Sequence, residues 1–209
     1  SETNLVILIR EEAVIVQERW LEELVDIFQQ EDVAAVAPLL HNPGDAKILA
    51  AGNILGLLGA TTASYGHNAT LGESGYLDSL LVTRDASTLP SACLLIRRAA
   101  YTEAGGMDDK ELGDYLADTD LCLKMRKNNW RLVVQPRASV VYGGDTYPYD
   151  FMLKLKAGIT KNGSRNSFHH RWGKTALIDP FWNTNLSLAD STPTPETEFR
   201  PQWQYLPSD

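Results

Sequence analysis

The sequence predicts an α/β fold in which a mostly parallel sheet is flanked by helices. Three continuous apolar runs, Leu5–Ile9, 33–40 and 92–96, are typical of strands that are buried on both faces, and they are expected to be the central strands. From Glu18 onward, apolar side chains recur at helical spacing on one side and acidic side chains face the other. The 209 residues are enough for one domain with a sizeable core.

Composition and charge exclude several classes of function. The chain is 44% hydrophobic and 22% charged, which is ordinary for a globular protein. A net charge of −8 argues against non-specific binding to nucleic acid or anionic membranes, because both bind basic surfaces. No apolar run approaches the roughly 20 residues that span a bilayer, and no signal peptide is visible. We therefore expect a cytoplasmic protein with no nucleic-acid partner and no membrane span.

The first strand begins within a few residues of Ser1, which is unusual for a buried strand, so we expect a piece of a longer protein. The helix from Glu18 precedes the second strand, which ends in a turn at 41–44. Residues 60–89 are polar and irregular, and such a loop is either functional or simply solvated. The two cysteines, Cys93 and Cys122, lie in apolar settings and are expected to be buried free thiols.

The stretch 90–142 contains most of the residues that the sequence predicts to form a functional site. Its strand at 92–96 runs into a short helix that stops at the glycine pair 105–106, because glycine tolerates the positive φ of a helix end. An acidic loop follows, then a helix opening on Asp118, then two short β-rich runs at 131–134 and 139–142. Strand ends, a glycine turn and carboxylates are thus expected to meet at one rim.

Beyond this stretch the sequence predicts an amphipathic helix over 149–161. The segments RWG at 171–173 and DPFWNTNLS at 179–187 follow it. Residues 190–209 contain four prolines and are expected to form an extended or disordered tail. We therefore divide the chain into a domain over 1–189 and a Pro-rich tail over 190–209.

Several of these segments resemble the C-terminal half of the family-2 glycosyltransferases, inverting sugar transferases with the GT-A fold. The matching segments are WLEELV at 20–25, SACLLIRR at 91–98, GGMDD at 105–109, DTDLCLK at 118–124, PRASVVY at 136–142 and the segment at 179–187. The resemblance implies a partial GT-A-like fold whose N-terminal nucleotide-binding half is missing. Completed by such a half, the domain is expected to transfer sugar from a nucleotide sugar to a glycan acceptor in bacterial polysaccharide or cell-surface glycan synthesis.

The resemblance also implies site residues. Asp118 occupies the position of the catalytic base, which must lie within hydrogen-bond reach of the acceptor hydroxyl. The alternative is that Asp118 only caps the helix. The same resemblance assigns substrate binding to Ala92, Gly105, Gly106, Asp108 and Asp120.

The family's divalent cation, Mn²⁺ or Mg²⁺, prefers oxygen ligands. Its ligand positions correspond here to Glu12, Val14 and Tyr142, and valine and tyrosine are poor replacements for carboxylate and histidine. We therefore assign no metal site and no cofactor to this chain, and expect the isolated chain to be inactive and not to bind a nucleotide sugar. The alternative function is a catalytically inactive carbohydrate-binding or structural domain of a multidomain protein.

The missing half is also expected to leave a bare sheet edge beside Leu5–Ile9, which carries no charge of its own. Proteins generally cover, charge or pair such an edge. We expect either the tail at 190–209 or a homodimer to cover it.

Overall fold

The computed structural model describes residues 4–57, 62–144, 162–189 and 193–196. The strands within these ranges are β1 (Leu5–Ile9), β2 (Ala13–Val14), β3 (Val33–His41), β4 (Ile48–Ala50), β5 (Asn53–Leu55), β6 (Thr62–Ser64), β7 (Arg84–Asp85), β8 (Cys93–Arg97) and β9 (Arg131–Tyr142). The helices are α1 (Trp20–Val25), α2 (Arg98–Glu103), α3 (Asp109–Lys127) and α4 (Asn162–Trp172). Turns of 3₁₀ helix extend α1 over Asp26–Gln29 and α4 over Gly173–Ala176. The predicted α/β class is confirmed.

The described strands form one seven-stranded sheet and the small β5–β6 hairpin. The order along the large sheet is β1-β8-β3-β9-β2, with β4 beside β3 and β7 beside β9. Within it β3 and β9 are parallel, whereas every other described pair is antiparallel. The prediction of a mostly parallel sheet is therefore wrong. An unbroken apolar run indicates that both faces of a strand are covered, as they are along β3, but it does not fix strand direction.

The position of β1 also differs from the prediction of a central strand. In the described part of the chain β1 pairs only with β8, so it lies at the edge of the sheet. This position agrees with the expectation of a sheet edge beside Leu5–Ile9. Ile7 is 38% exposed and Ile9 46% exposed, and both belong to the same face of the strand. The apolar run of β1 therefore does not indicate burial on both faces.

Helices pack on both faces of the sheet's centre, which consists of β8, β3 and β9. Leu94 of β8 packs in a cluster that contains Leu121 of α3, whereas its neighbour Leu95 packs with Leu24 of α1 on the opposite face. This alternation is the period of two that a strand imposes on its side chains. The central strands therefore hold α1 and α3 on opposite sides.

The predicted helix opening on Asp118 begins nine residues earlier in the chain, at Asp109. Asp108 is its N-cap, and its carboxylate accepts a hydrogen bond from the Glu111 N–H at 3.3 Å. Gly113, at φ 66° and ψ 178°, interrupts the helix with a conformation that is nearly exclusive to glycine. Asp118 thus lies inside the helix and does not cap it.

Other elements follow the sequence closely. Helix α2 ends at Glu103 and is followed by Gly105 and Gly106, both at positive φ, as predicted. The two predicted runs at 131–134 and 139–142 are one strand, β9, whose register against β3 shifts between Gln135 and Ser139. Both cysteines are free and buried, as predicted, and burial raises the pKa of each thiol to about 12.

The predicted helix over 149–161 lies outside the described residues. Within the predicted tail, residues 193–196 are described, and Ser187 N donates a hydrogen bond to the carbonyl of Thr194 at 2.8 Å. In the described parts of the chain, the helices are all too short or too polar to cross a membrane.

Candidate functional site

Asp118 projects from α3 towards the residues that open β8. Its Oδ2 accepts a hydrogen bond from the backbone N–H of Ser91 at 3.1 Å. Its Oδ1 accepts from the backbone N–H of Thr119 at 2.6 Å and from the Thr119 hydroxyl at 3.3 Å. Asp118 is a partly buried residue, and the backbone of Ser91 and Thr119 fixes its carboxylate in place.

The surroundings of Asp118 favour its protonated form. Burial raises the pKa of this carboxyl above its usual range, while the N–H groups of Ser91 and Thr119 and the charge of Arg10 oppose that shift. Because burial dominates, the carboxyl gains a proton at a higher pH than an ordinary aspartate does.

The end of β1 lies close to Asp118 and Ser91. Arg10 N donates a hydrogen bond to the carbonyl of Ala92 at 3.0 Å, so the chain leaving β1 runs beside the residues that lead into β8. Ala92 is 6% exposed, too buried to offer more than a small contact to a ligand. We call Arg10, Ser91, Ala92 and Asp118 the carboxylate site.

The three positions that the family resemblance assigns to a metal ion also meet in space. Strand β2 pairs with the end of β9, with Ala13 opposite Tyr142, and Gly143 N donates to the carbonyl of Glu12 at 3.1 Å. Their side chains do not suit a hard cation, however. The side chain of Val14 has no atom that can bind a metal ion, and Tyr142 is a buried residue, 3% exposed.

Across the described residues, no group of three or more His, Cys, Asp or Glu side chains is placed to hold a metal ion. The donor set therefore does not fit the divalent cation of the family.

A second group of carboxylates surrounds Arg171 of α4. Its Nη2 contacts Asp108 Oδ2 at 2.9 Å and Glu111 Oε2 at 2.7 Å, and its Nη1 contacts Asp120 Oδ1 at 2.9 Å. The hydrogen bond from Arg171 holds the pKa of Asp108 below its usual range. We call these four residues the Arg171 network.

Asp120 is the buried member of the Arg171 network, with a fully buried side chain. The Trp172 indole N–H donates to its Oδ1 at 2.9 Å, and Lys124 Nζ lies 2.6 Å from its Oδ2. Lys124 also donates to the carbonyl of Gly106 at 3.4 Å. The chain's own cations thus occupy both oxygens of Asp120.

The predicted site residues therefore fall into two places. Ala92 and Asp118 belong to the carboxylate site, whereas Asp108 and Asp120 belong to the Arg171 network. Gly106 lies beside that network, since its carbonyl accepts a hydrogen bond from Lys124. Gly105 lies between them in the chain and serves the turn after α2. Substrate binding by these residues stays a prediction.

Sequence reasoning did not assign Arg171 to the acidic residues. Arg171 belongs to the segment RWG at 171–173, but it is 51 residues from Asp120 in the chain. No local sequence pattern indicates that the two side chains meet. An arginine beside a tryptophan does not by itself predict an ion pair with a buried carboxylate, because arginine is common on protein surfaces.

Comparison with known proteins gives little beyond this geometry. No family model matches the chain. The uncharacterized protein y4gI of Sinorhizobium fredii (strain NBRC 101917 / NGR234) is similar, at 29% identity over 194 residues. The similarity covers 90% of this chain, which spans about a fifth of the length of that relative.

Proposed function

We propose that this chain is a domain of the family-2 glycosyltransferase type, in which Asp118 is the general base of an inverting sugar transfer. The observation that carries the proposal is the placement of Asp118 against the backbone of Ser91, beside Ala92. These are the two segments that the ordered sequence motifs assign to one site, and they are 27 residues apart in the chain.

The geometry around Asp118 suits a base. Each carboxylate oxygen has two lone-pair directions, and Oδ2 uses one of them for Ser91 N. As the base, Asp118 would accept the proton of the acceptor hydroxyl on one of these oxygens. A raised carboxyl pKa moves the base closer to the pH at which it works, which favours proton transfer in the transition state.

The proposed reaction is a single displacement at the anomeric carbon of the donor sugar. The acceptor oxygen forms a bond to the anomeric carbon, its proton passes to Asp118, and the bond from that carbon to the nucleoside diphosphate breaks with inversion. No part of this step is routed through a metal ion, since Val14 and Tyr142 do not supply ligands. Groups elsewhere in the natural polypeptide must therefore neutralise the negative charge of the departing nucleoside diphosphate.

The test is release of nucleoside diphosphate by the natural polypeptide that carries this chain, with UDP-, GDP- and dTDP-sugars and glycan acceptors. Asp118→Asn should lower the rate at least 100-fold, because a positioned base contributes about 10²–10⁴-fold. The matched control is Asp109→Asn, which neutralises an exposed carboxylate of the same helix and should leave the rate unchanged. Equal rates for the two variants would refute the role of Asp118.

A second candidate is a catalytically inactive domain of the same type. It is favoured by the metal positions that do not fit and by Asp120, whose oxygens are held by Arg171, Trp172 and Lys124. If the wild-type polypeptide shows no transfer or donor hydrolysis with any of these donors, the second candidate replaces the first.

A further inference from the structure

A cavity of about 530 Å³ lies away from the carboxylate site, and none of its described lining residues belongs to that site or to the Arg171 network. The segment 179–183, which follows α4, forms one wall, and residues of β5, β7 and the loop before β7 form others. Strand β7 pairs with β9 on the side away from β3, so this wall lies at the opposite edge of the sheet from β1. We call it the aromatic cavity.

The rim of the aromatic cavity is apolar and exposed. Leu77 is 79% exposed, Phe181 is 50% exposed, and Tyr76 is also an exposed residue. Further in, Tyr65 and Trp182 stand edge to face with their ring centroids 6.0 Å apart. A group of neighbouring exposed apolar side chains of this kind marks a surface to which another segment or chain binds.

Leu77 combines its exposure with a strained backbone. Its φ of 50° and ψ of 44° lie in the left-handed region, which leucine adopts rarely because its Cβ crowds the following carbonyl oxygen. The fold therefore holds an apolar side chain at the surface in an unfavourable conformation. Strain of this kind is commonly retained where it positions a residue for binding.

The charged groups among the described lining residues are already engaged. Asp179 accepts hydrogen bonds from two backbone N–H groups, both at 2.8 Å. Arg84 donates to three backbone carbonyls, and Asp85 pairs with Arg131 at 3.0 Å. These partners satisfy the charges within the wall, so an apolar or aromatic occupant is favoured over a charged one.

The described part of the C-terminal tail lies beside the aromatic cavity. Residues 193–196 run antiparallel to residues 185–187, and two backbone hydrogen bonds of 2.8 Å join them. Leu186 lies opposite Pro195 in this pairing and also lines the cavity. Because the pairing is antiparallel, the end of the tail segment is directed back towards Asn183, a second lining residue.

Residues 197–209 lie outside the described residues, and their sequence is TEFRPQWQYLPSD. An extended chain from residue 196 to Trp203 spans roughly 20 Å, which is ample for a cavity that begins beside residue 196. Proline-containing segments commonly dock in grooves lined by aromatic side chains. The large apolar and aromatic side chains of this segment are Phe199, Trp203, Tyr205 and Leu206.

We propose that the aromatic cavity is the docking site of this chain's own C-terminal segment, with Trp203 packed against Leu77 and Phe181. The segment carries the apolar and aromatic groups that suit the exposed rim, and its tether beside the cavity keeps its local concentration high. Docking does not depend on sugar transfer, because Asp118 does not line the cavity. It leaves the edge of β1 to the homodimer, the other expectation for that edge.

The test is ¹⁹F NMR of the full chain with 5-fluorotryptophan in place of tryptophan, in which Trp203→Phe assigns the Trp203 signal. In the wild type this signal should be displaced from that of free fluorotryptophan and should respond little to exchange of H₂O for D₂O. Leu77→Asp should return it to the position and solvent response of the free amino acid, because a carboxylate on the rim opposes burial of the indole.

Leu77→Asp separates docking from folding, since residue 77 is exposed and aspartate tolerates positive φ better than leucine. The matched control is Leu81→Asp. Leu81 is an exposed residue of the same loop that does not line the cavity, so its substitution should leave the Trp203 signal unchanged.

Three results would overturn the proposal. The Trp203 signal of the wild type could match free fluorotryptophan, or it could stay displaced in Leu77→Asp. It could also return to the free position on dilution, which would place the tail of a second copy in the cavity.

Discussion

At Asp118, burial and hydrogen bonding act in opposite directions on the carboxyl pKa. Burial raises it, and the backbone N–H groups of Ser91 and Thr119 lower it, with burial the larger effect. A helix cap would be surrounded by free N–H groups and would be held in its charged form. The raised pKa therefore agrees better with a base inside the helix than with a cap.

The raised pKa makes stability depend on pH with a definite sign. Between the ordinary Asp pKa of about 3.9 and the higher folded-state pKa, the folded chain holds the proton more tightly than the unfolded chain. The contribution of Asp118 is complete below the lower value and is lost as pH rises through the higher one. The free energy of unfolding of the wild type, relative to Asp118→Asn, should therefore fall with rising pH.

Urea unfolding of both proteins between pH 4 and pH 8 measures this difference. A constant offset from the lost backbone hydrogen bond does not matter, because only the slope with pH is compared. Asp109→Asn, on the exposed first turn, is the control for general charge effects. A difference that rises with pH would contradict the assigned direction.

The sequence identified Asp118 through its motif but misjudged its surroundings. An Asp-Thr-Asp run matches the chemistry of a helix start, yet the actual cap is Asp108, ten residues earlier. Asp120, two residues further along the same motif, is fully buried against Arg171. Local sequence shows which residue can cap or ionise, whereas burial is decided by segments far away in the chain.

At the scale of elements, the Arg171 network joins α4 to α3. Beside it, Phe168 of α4 packs fully buried among Leu112, Leu116 and Leu123 of α3. The apolar contact holds the two helices together, and the ion pairs fix their relative position. Neither helix has a clear amphipathic pattern, which is why the pairing was not predicted.

Arg171→Ala should lower the free energy of unfolding by about 3 kcal/mol. This lies at the low end of the range for breaking a buried ion pair, because Lys124 remains beside the buried carboxylate of Asp120. The control is Arg137→Ala, whose side chain is 66% exposed and pairs with Glu23, and it should cost less than about 1 kcal/mol. Chemical denaturation compares the two, and equal losses would mean that the network contributes no more than a surface pair.

Strand existence was predictable and strand direction was not. The apolar runs located β3 and β8, and the glycines located the end of α2. Direction depends on the route of the connections, and the irregular segment 60–89 gave no helix from which a parallel crossover could be recognised. Likewise, the sequence around Pro136 separates two apolar runs, although in the fold they form the single strand β9 with a shift of register at this point.

At the scale of the whole molecule, the outer edge of β1 invites association. Within the described residues it pairs on one side only, and Ile7 and Ile9 are partly exposed. We expect either the tail at 190–209 or a homodimer to cover this edge, and Ile7→Lys with Ile9→Lys to shift a dimer towards monomer.

Sedimentation equilibrium of the full chain and of a chain ending at residue 189 tests the dimer. If only the shortened chain dimerises, the tail covers the edge in its place. Monomers in both cases would contradict both expectations.

The isolated chain should bind no nucleotide sugar appreciably, with or without Mn²⁺. Val14 and Tyr142 occupy two of the three positions where the family holds its cation, and neither offers a suitable ligand. Calorimetric titration with UDP-, GDP- and dTDP-sugars is the measurement. Micromolar, metal-dependent binding would show that this chain does carry a donor site.

The proposed role of Asp118 is tested most directly by the pH dependence of sugar transfer, measured as kcat/KM on the natural polypeptide that carries this chain. Because the base must be ionised and burial raises its pKa, the rate should fall on the acidic side through a pKa above that of an ordinary aspartate. The exposed-site variant Asp109→Asn should give the same profile. A rate that stays constant down to pH 4, or transfer that survives in Asp118→Asn, would contradict the assignment of Asp118 as the base.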